Sequence, residues 1–294
     1  MTFNPDSNIG GGRVSRRGRN TGIAVGGGGI AVVVLALISP LLGVDLTGLA
    51  GLFGGGAGQY ESGPADSLDQ CQTGADANAN VECRMKGVSA SLDAYWAGKF
   101  SDEGIEYRSP SEFVLFSDAT GTGCGNATSA TGPFYCPTDE SIYVDTGFFD
   151  DLRTQFGASG GPLAEMYVVA HEWGHHIQNV LGTMNNLDLR DTGPTSDSVR
   201  LELQADCYGG SWAKDASTVP DASGVPFLQP ITQQQINDAL NAAQVIGDDR
   251  IQSQATGQVN PETWTHGSSE QRQKWFSIGY EQGPNACQTF GGNL

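Results

Sequence analysis

Basic residues are scarce in this chain of 294 residues. Lys and Arg together number 15 against 33 Asp and Glu, which gives a formal net charge of −18. A surface of this charge repels phosphate backbones, so the composition argues against a nucleic-acid partner. It is typical of a soluble, acidic domain that works outside the cytoplasm.

Cysteine pairs of the C-x-x-C type are absent, which argues against a cysteine zinc knuckle. The six cysteines nevertheless form an even set, and in an exported domain such a set favours disulfides. Their spacing suggests two disulfides that close short loops, Cys71 with Cys83 and Cys124 with Cys136, and one that closes a long loop, Cys207 with Cys287. Other pairings are open.

Charged residues are also absent between positions 20 and 44, and Ile30 to Ile38 is solidly apolar. This uncharged run is long enough to cross a bilayer of about 30 Å. Because arginines precede it, the positive-inside rule places the amino terminus in the cytoplasm and the rest outside. A cleaved signal peptide is the competing interpretation, since the apolar core has the length of an h-region.

The chain therefore divides into four predicted segments. They are a basic cytoplasmic tail at 1–20, a transmembrane anchor at 21–44, a Gly-rich linker at 45–66 and a globular domain at 67–294. This organisation predicts a single-pass protein of the cell membrane whose domain is extracytoplasmic.

Histidine is rare as well, with only four in the chain, yet three lie in the stretch 164–181. His171, Glu172 and His175 stand there in the order H-E-x-x-H. Pro162 and an apolar stripe at 3.6-residue spacing predict a helix, on which positions i and i+4 share a face. Both imidazoles can then reach one metal ion with Glu172 beside it. A chance motif is the alternative, but the clustering of histidines disfavours it.

His176 points about 100° away from His175 on such a helix. It is therefore predicted to be a packing residue, or one that orients a ligand, rather than a ligand itself. The longer three-histidine zinc motif is excluded, because it requires glycine and histidine where this chain has Gln178 and Leu181.

A second helix, predicted at 196–214, carries Glu202 and Asp206 at i and i+4 on one face. Two histidines and a glutamate are a standard set of ligands for catalytic zinc. Glu202 is thus the candidate third ligand, and Asp206 the carboxylate that fixes a histidine, most simply His171. The alternative for Glu202 is an exposed carboxylate paired with Arg200 or water.

The remaining pattern indicates an α+β fold in which a small sheet precedes the metal helix. A helix is predicted at 81–99, strands at 113–116 and 141–145, and a cysteine-held loop at 121–137. An extended peptide can add itself to such a sheet edge as another strand.

The segment Thr265–Arg272 contains the one histidine outside the metal helix. Ser268 and Gln271 form a predicted capping box for the last helix. His266 is then either an oxyanion-stabilising residue or an ordinary surface histidine.

Several separated motifs agree in order: GPFYCP, HEWGHH, RLELQADC, YGGSWA and THGSSEQR. Together they resemble the predicted neutral zinc metallopeptidase family of bacterial membrane-anchored proteins, over most of 67–290. The resemblance implies a mostly helical, gluzincin-like zincin fold. It also implies Zn²⁺ held by His171, His175 and Glu202, with Glu172 as the catalytic base.

The function expected from these features is zinc-dependent endopeptidase activity on a protein or peptide substrate, with Glu172 activating a water molecule. One alternative is a catalytically silent zinc-binding scaffold or chaperone-like envelope protein. Another is a purely structural domain whose histidines only pack.

Overall fold

The computed structural model describes residues 2–17, 65–185, 187–292 and 294. The helices of these residues are α1 (Gly74–Ala79), α2 (Val81–Asp102), α3 (Phe148–Thr154), α4 (Pro162–Val180), α5 (Asp197–Asp215), α6 (Gln233–Val245), α7 (Asp248–Thr256) and α8 (Ser269–Gln282). The strands are β1 (Val14–Arg17), β2 (Ala65–Asp66), β3 (Phe113–Phe116), β4 (Ala119–Thr122), β5 (Gly125–Thr128), β6 (Phe134–Cys136) and β7 (Ser141–Asp145). The result is an α+β fold in which helices dominate, as the sequence predicts.

Helix α4 is buried along most of its length and packs against α2, α5 and α6 and against strand β6. Pro162 occupies its first turn, where the missing N–H is not needed. Beyond its last turn, Gly182 takes a left-handed φ of 72°, a conformation in which glycine commonly closes a helix end. Helix α5 begins after Ser196, whose side chain accepts a hydrogen bond from the Val199 N–H. Both predicted site helices are therefore confirmed to within two residues.

The larger sheet has the strand order β2-β1-β3-β7-β6. Strands β1, β3 and β7 run parallel, whereas β2 and β6 pair antiparallel at the two edges. Strands β3 and β7, the two predicted ones, are buried throughout, as inner parallel strands are. The sheet thus leaves β6 as the edge strand beside helix α4.

The predicted loop at 121–137 is wrong in detail, because it contains most of the hairpin of β4 and β5 and the whole of β6. Strands β4 and β5 are short and rich in Gly, Ala and Thr, and β6 has only three residues, so their sequence shows little of the usual apolar alternation. The disulfide between Cys124 and Cys136 joins the hairpin to β6.

The predicted tail at 1–20 is corrected by the structure, since residues 2–17 belong to the folded domain. Phe3 and Ile9 are fully buried, and β1 lies inside the sheet between β2 and β3. Close backbone approach makes this possible: a Cβ on Gly12 would come within 2.1 Å of the Lys86 carbonyl oxygen. The domain therefore includes residues that precede the predicted boundary at 67, namely 2–17 and strand β2.

No helix within the described residues is long and apolar enough to cross a bilayer. The predicted anchor at 21–44 lies outside the described residues, as does nearly all of the predicted linker at 45–66.

All three predicted disulfides are present. They join Cys71 to Cys83, Cys124 to Cys136 and, over a separation of 80 residues, Cys207 to Cys287. The last ties α5 to the carboxyl-terminal segment, so it closes a loop that contains α6, α7 and α8.

Candidate metal centre

Helices α4 and α5 approach closely at the candidate site. Gly174 allows this contact, because a Cβ there would lie 2.9 Å from the Cα of Ala205. The helical spacing of each chain segment then brings His171 and His175 of α4 to face Glu202 of α5. The structure thus unites three residues that the sequence places on two separate helices.

The three side chains converge on one point. His171 Nε2 lies 3.0 Å from Glu202 Oε2, and His175 Nε2 lies 3.4 Å from Glu202 Oε1. One ligand atom from each of the three residues falls within 4.8 Å of the others. A tetrahedral zinc ion with bonds of about 2.1 Å needs ligand atoms roughly 3.4 Å apart, so the donor set fits zinc.

A buried carboxylate fixes the orientation of His171. Asp206 is fully buried, and its Oδ1 lies 2.8 Å from His171 Nδ1. The same carboxylate accepts hydrogen bonds from Nε and Nη2 of Arg272, at 2.8 and 2.9 Å, and from the hydroxyl of Tyr167. Burial raises the pKa of Asp206, but Arg272 and His171 outweigh it and lower that pKa to about 2. The ionised carboxylate holds the proton of His171 on Nδ1, which leaves Nε2 free to bind a metal.

His175 is oriented in the same way by an amide. Its Nδ1 lies 2.8 Å from Gln178 Oε1, while Gln178 Nε2 donates to the Leu201 carbonyl at 2.7 Å. Because a carbonyl only accepts, the amide group is fixed with its oxygen toward His175. Both histidines thus present Nε2 at the cluster.

The electrostatics of the cluster favour a cation. Burial lowers the pKa of His171, but Asp206 and Glu202 outweigh it and raise that pKa to about 10. Burial raises the pKa of Glu202, yet His175 and His266 hold it well below its usual range. A metal ion at this point would take the place of a proton between these groups.

Glu172 lines the same cleft and is only 7 % exposed. Burial raises its pKa above the usual range of a carboxyl group, despite the opposing effect of His171 and His175. It is therefore a carboxylate with enhanced affinity for a proton, next to two histidines of the cluster.

His266 faces the cleft from the loop before α8 and is about half exposed. Asp248 holds this loop, since its Oδ2 accepts the backbone N–H groups of Thr265, His266 and Gly267 at 2.7–3.0 Å. Burial lowers the pKa of His266, but Glu202 and Asp248 outweigh it and raise the pKa. The imidazole is thus favoured as a cationic hydrogen-bond donor in the cleft.

His176 lies outside the cluster, as its position on the helix predicts. It is fully buried and contacts the Tyr135 hydroxyl and the Arg108 carbonyl. Burial lowers its pKa, which favours the neutral imidazole.

The cleft above the cluster has a volume of about 450 Å³ and is largely apolar. Its apolar lining includes Pro133, Phe134, Tyr135, Phe148, Phe156, Val168, Met184, Leu189, Leu201, Ile246 and Ile251. Edge strand β6 contributes one wall, and the cluster of His171, His175 and Glu202 lies at the same cleft.

Four residues that hold the site in place were not predicted from the sequence: Tyr167, Gln178, Asp248 and Arg272. Arg272 belongs to a motif singled out for its capping residues, yet nothing local shows that its guanidinium reaches Asp206. Gln178 lies one turn beyond His175, at a spacing that suggests contact. A polar residue in an apolar helix was the signal that could have found it.

Residues 4–290 match a protein family described as "Putative neutral zinc metallopeptidase". The match spans both the N-terminal segment and every residue of the cluster. It therefore covers the parts of the chain that the strand pairing and the helix packing bring together.

Curated relatives come from distant bacteria. The uncharacterized protein Rv2575 of Mycobacterium tuberculosis is 55% identical over 229 residues, which cover 77% of this chain and 76% of the relative. The uncharacterized protein YpfJ of Escherichia coli K12 is 37% identical over 276 residues, which cover 92% and 88% of the two chains. No solved structure matches the chain.

Proposed function

The chain belongs to this family of neutral zinc metallopeptidases, and on that basis we propose that it is a zinc-dependent endopeptidase. The observation that carries the proposal is the convergence of His171 Nε2, His175 Nε2 and the Glu202 carboxylate in a peptide-sized cleft. These residues would hold the ion, and Glu172 beside them would act as the base.

Zinc, when bound, supplies a Lewis acid that polarises a carbonyl group and makes a water molecule more acidic. In the proposed reaction Glu172 takes a proton from the attacking water and delivers it to the leaving amine. His266, favoured in its cationic form, donates a hydrogen bond to the oxyanion that develops on the scissile carbonyl. Asp206, Gln178 and Arg272 keep the ligand imidazoles in position.

Endopeptidase activity is favoured over removal of carboxyl-terminal residues. Among the described residues that line the cleft, Arg272 is the one Lys or Arg, and its guanidinium is engaged by Asp206 and the Ile246 carbonyl. A free terminal carboxylate would therefore find no available Lys or Arg among these residues, and His266 is assigned to the oxyanion instead. Apolar side chains would instead find aromatic and aliphatic walls, and an extended backbone could pair with β6.

We propose an extracytoplasmic location, because three disulfides form and persist in oxidising compartments. Attachment through 21–44 stays a prediction from the sequence. A single crossing at 21–44 would place residues 2–17 and the domain on opposite sides of the membrane, whereas Arg17 pairs with Ala65 and residues 2–17 share one sheet with the domain. Any attachment through 21–44 must then leave both of its ends on one side, unlike the predicted single-pass crossing. The amino terminus is therefore proposed to lie on the same side as the domain. In cells whose outer layers are permeabilised but whose cytoplasmic membrane is intact, added protease should then cleave an amino-terminal epitope tag.

The proposed function is tested first by metal content. The purified full-length chain should hold one equivalent of zinc, and Glu202→Ala should lose it, whereas the exposed-carboxylate control Glu270→Ala should keep it. The wild-type protein should then cleave reduced, denatured casein at internal sites. Absence of zinc in the wild type after dialysis against zinc would refute the proposal. One equivalent of zinc without cleavage would favour the alternative of a silent scaffold.

A further inference from the structure

We propose that His176 is a positioning residue for the substrate, because it holds edge strand β6 in place through Tyr135. The inference rests on the proposed peptidase function and deepens it. It assigns the third histidine of the motif a task distinct from metal binding.

The hydrogen bonds of His176 have defined directions. Its Nε2 lies 2.8 Å from the Arg108 carbonyl oxygen, which can only accept, so Nε2 carries the proton. In the neutral ring Nδ1 is then an acceptor, and it lies 3.1 Å from the Tyr135 hydroxyl. Tyr135 therefore donates its O–H to His176.

A second side chain of α4 completes the contact. Asn179 Nδ2 donates to the Tyr135 hydroxyl oxygen at 2.9 Å. The phenol thus donates to one residue of α4 and accepts from another one turn on. The ring of Tyr135 also meets the His176 ring edge to face, with centroids 5.4 Å apart. This polar anchor is buried, since His176 is 0 % and Tyr135 8 % exposed.

Strand β6 needs such an anchor because it pairs on one side only. Its partner is β7, and β6 is the last strand in the sheet order. Tyr135 itself lines the cleft. Helix α4 consequently positions two things at once: the ligand His175 on one face, and, through the next residue, the strand edge on which a peptide would lie.

The test separates substrate binding from metal binding. Tyr135→Phe removes one oxygen, and His176→Leu removes the ring that accepts from it. With a casein-derived fluorogenic peptide, each variant should raise KM about fivefold, the effect of one lost hydrogen bond, while kcat and zinc content stay unchanged. The double variant should be no worse than the worse single variant, because both changes break the same link.

Ser91→Ala is the matched control, since the Ser91 hydroxyl accepts a buried hydrogen bond from Trp212 at 3.1 Å, between α2 and α5. It should lower the melting temperature without changing KM. Unchanged KM in Tyr135→Phe, or additive effects in the double variant, would overturn the inference while leaving the peptidase proposal intact. If His176→Leu does not fold, Tyr135→Phe alone decides. A wild type that never cleaves peptide rejects both.

Discussion

The metal cluster and the N-terminal segment of residues 2–17 both join parts of the chain that are far apart, but they bury opposite kinds of group. Asp206 and Arg272 bury charge, whereas Phe3 and Ile9 bury apolar side chains. Removing charge from water costs free energy that pairing only partly offsets, whereas removing rings from water stabilises directly. The cluster is therefore organised for geometry, and the N-terminal segment for stability.

This contrast predicts a clean separation of effects. Changes in the cluster should alter zinc affinity or turnover more than folding. Changes in the N-terminal segment should alter folding and leave the zinc site as it is.

Glu172→Gln should give the largest effect. The amide keeps the shape of the side chain but cannot take a proton, so turnover should fall about a thousandfold. Zinc content and melting temperature should match the wild type, as measured by elemental analysis and calorimetry. Glu270→Gln, on the exposed face of α8, is the control. Turnover retained in the Glu172 variant would contradict its role as the base.

Phe3→Ala should give the opposite result. Loss of this fully buried ring should lower the free energy of unfolding by about 3–5 kcal/mol, measured in guanidinium. The remaining folded protein should still bind one equivalent of zinc. Phe290→Ala, at a ring that is 36 % exposed, should cost far less. An equal loss in both variants would mean that residues 2–17 are not part of the core.

Arg272→Met tests whether the buried charge of the cluster serves zinc binding. Without the guanidinium, Asp206 is no longer held in place, and zinc affinity should fall about 10- to 100-fold in chelator competition. Arg84, whose Nη1 pairs with Glu165 at 2.5 Å near the start of α4, provides a largely buried ion pair away from the cluster. Arg84→Met should reduce stability but leave zinc affinity unchanged. A loss of zinc affinity in both variants would show that any buried charge near α4 has this effect.

Asp221→Asn should give the smallest effect and a distinctive pH dependence. Burial raises the pKa of Asp221, but N–H donors, above all the Asn8 backbone at 2.6 Å, lower it to about 2. Because the unfolded carboxyl has a pKa of about 4, the stabilisation is complete above that value and is lost as the pH falls through about 2. The free energies of unfolding of variant and wild type, obtained from melting curves, should differ by about 1 kcal/mol at pH 7 and converge near pH 2. A difference in free energy that stays the same at every pH would exclude this anchor of the N-terminal segment.

The sequence by itself determined the parts of the site that depend on local spacing. His171 and His175 share a helix face because four residues make about one turn, and Glu202 and Asp206 do so for the same reason. The spacing of the cysteines suggested the three disulfide pairs but left other pairings open. Caps such as Ser268 and strands β3 and β7 followed from the local sequence pattern. Each of these features depends on neighbours within the chain or on one strongly apolar run.

Only the tertiary structure decided which distant groups meet. Residues 2–17 are polar and rich in glycine, so their composition gives no sign that β1 pairs with β3, almost a hundred residues away. Arg272 likewise carries no local mark of Asp206, the buried acceptor that it reaches. A buried polar group takes its role from its hydrogen-bond partner, and that partner is supplied by packing rather than by the residues beside it in the chain.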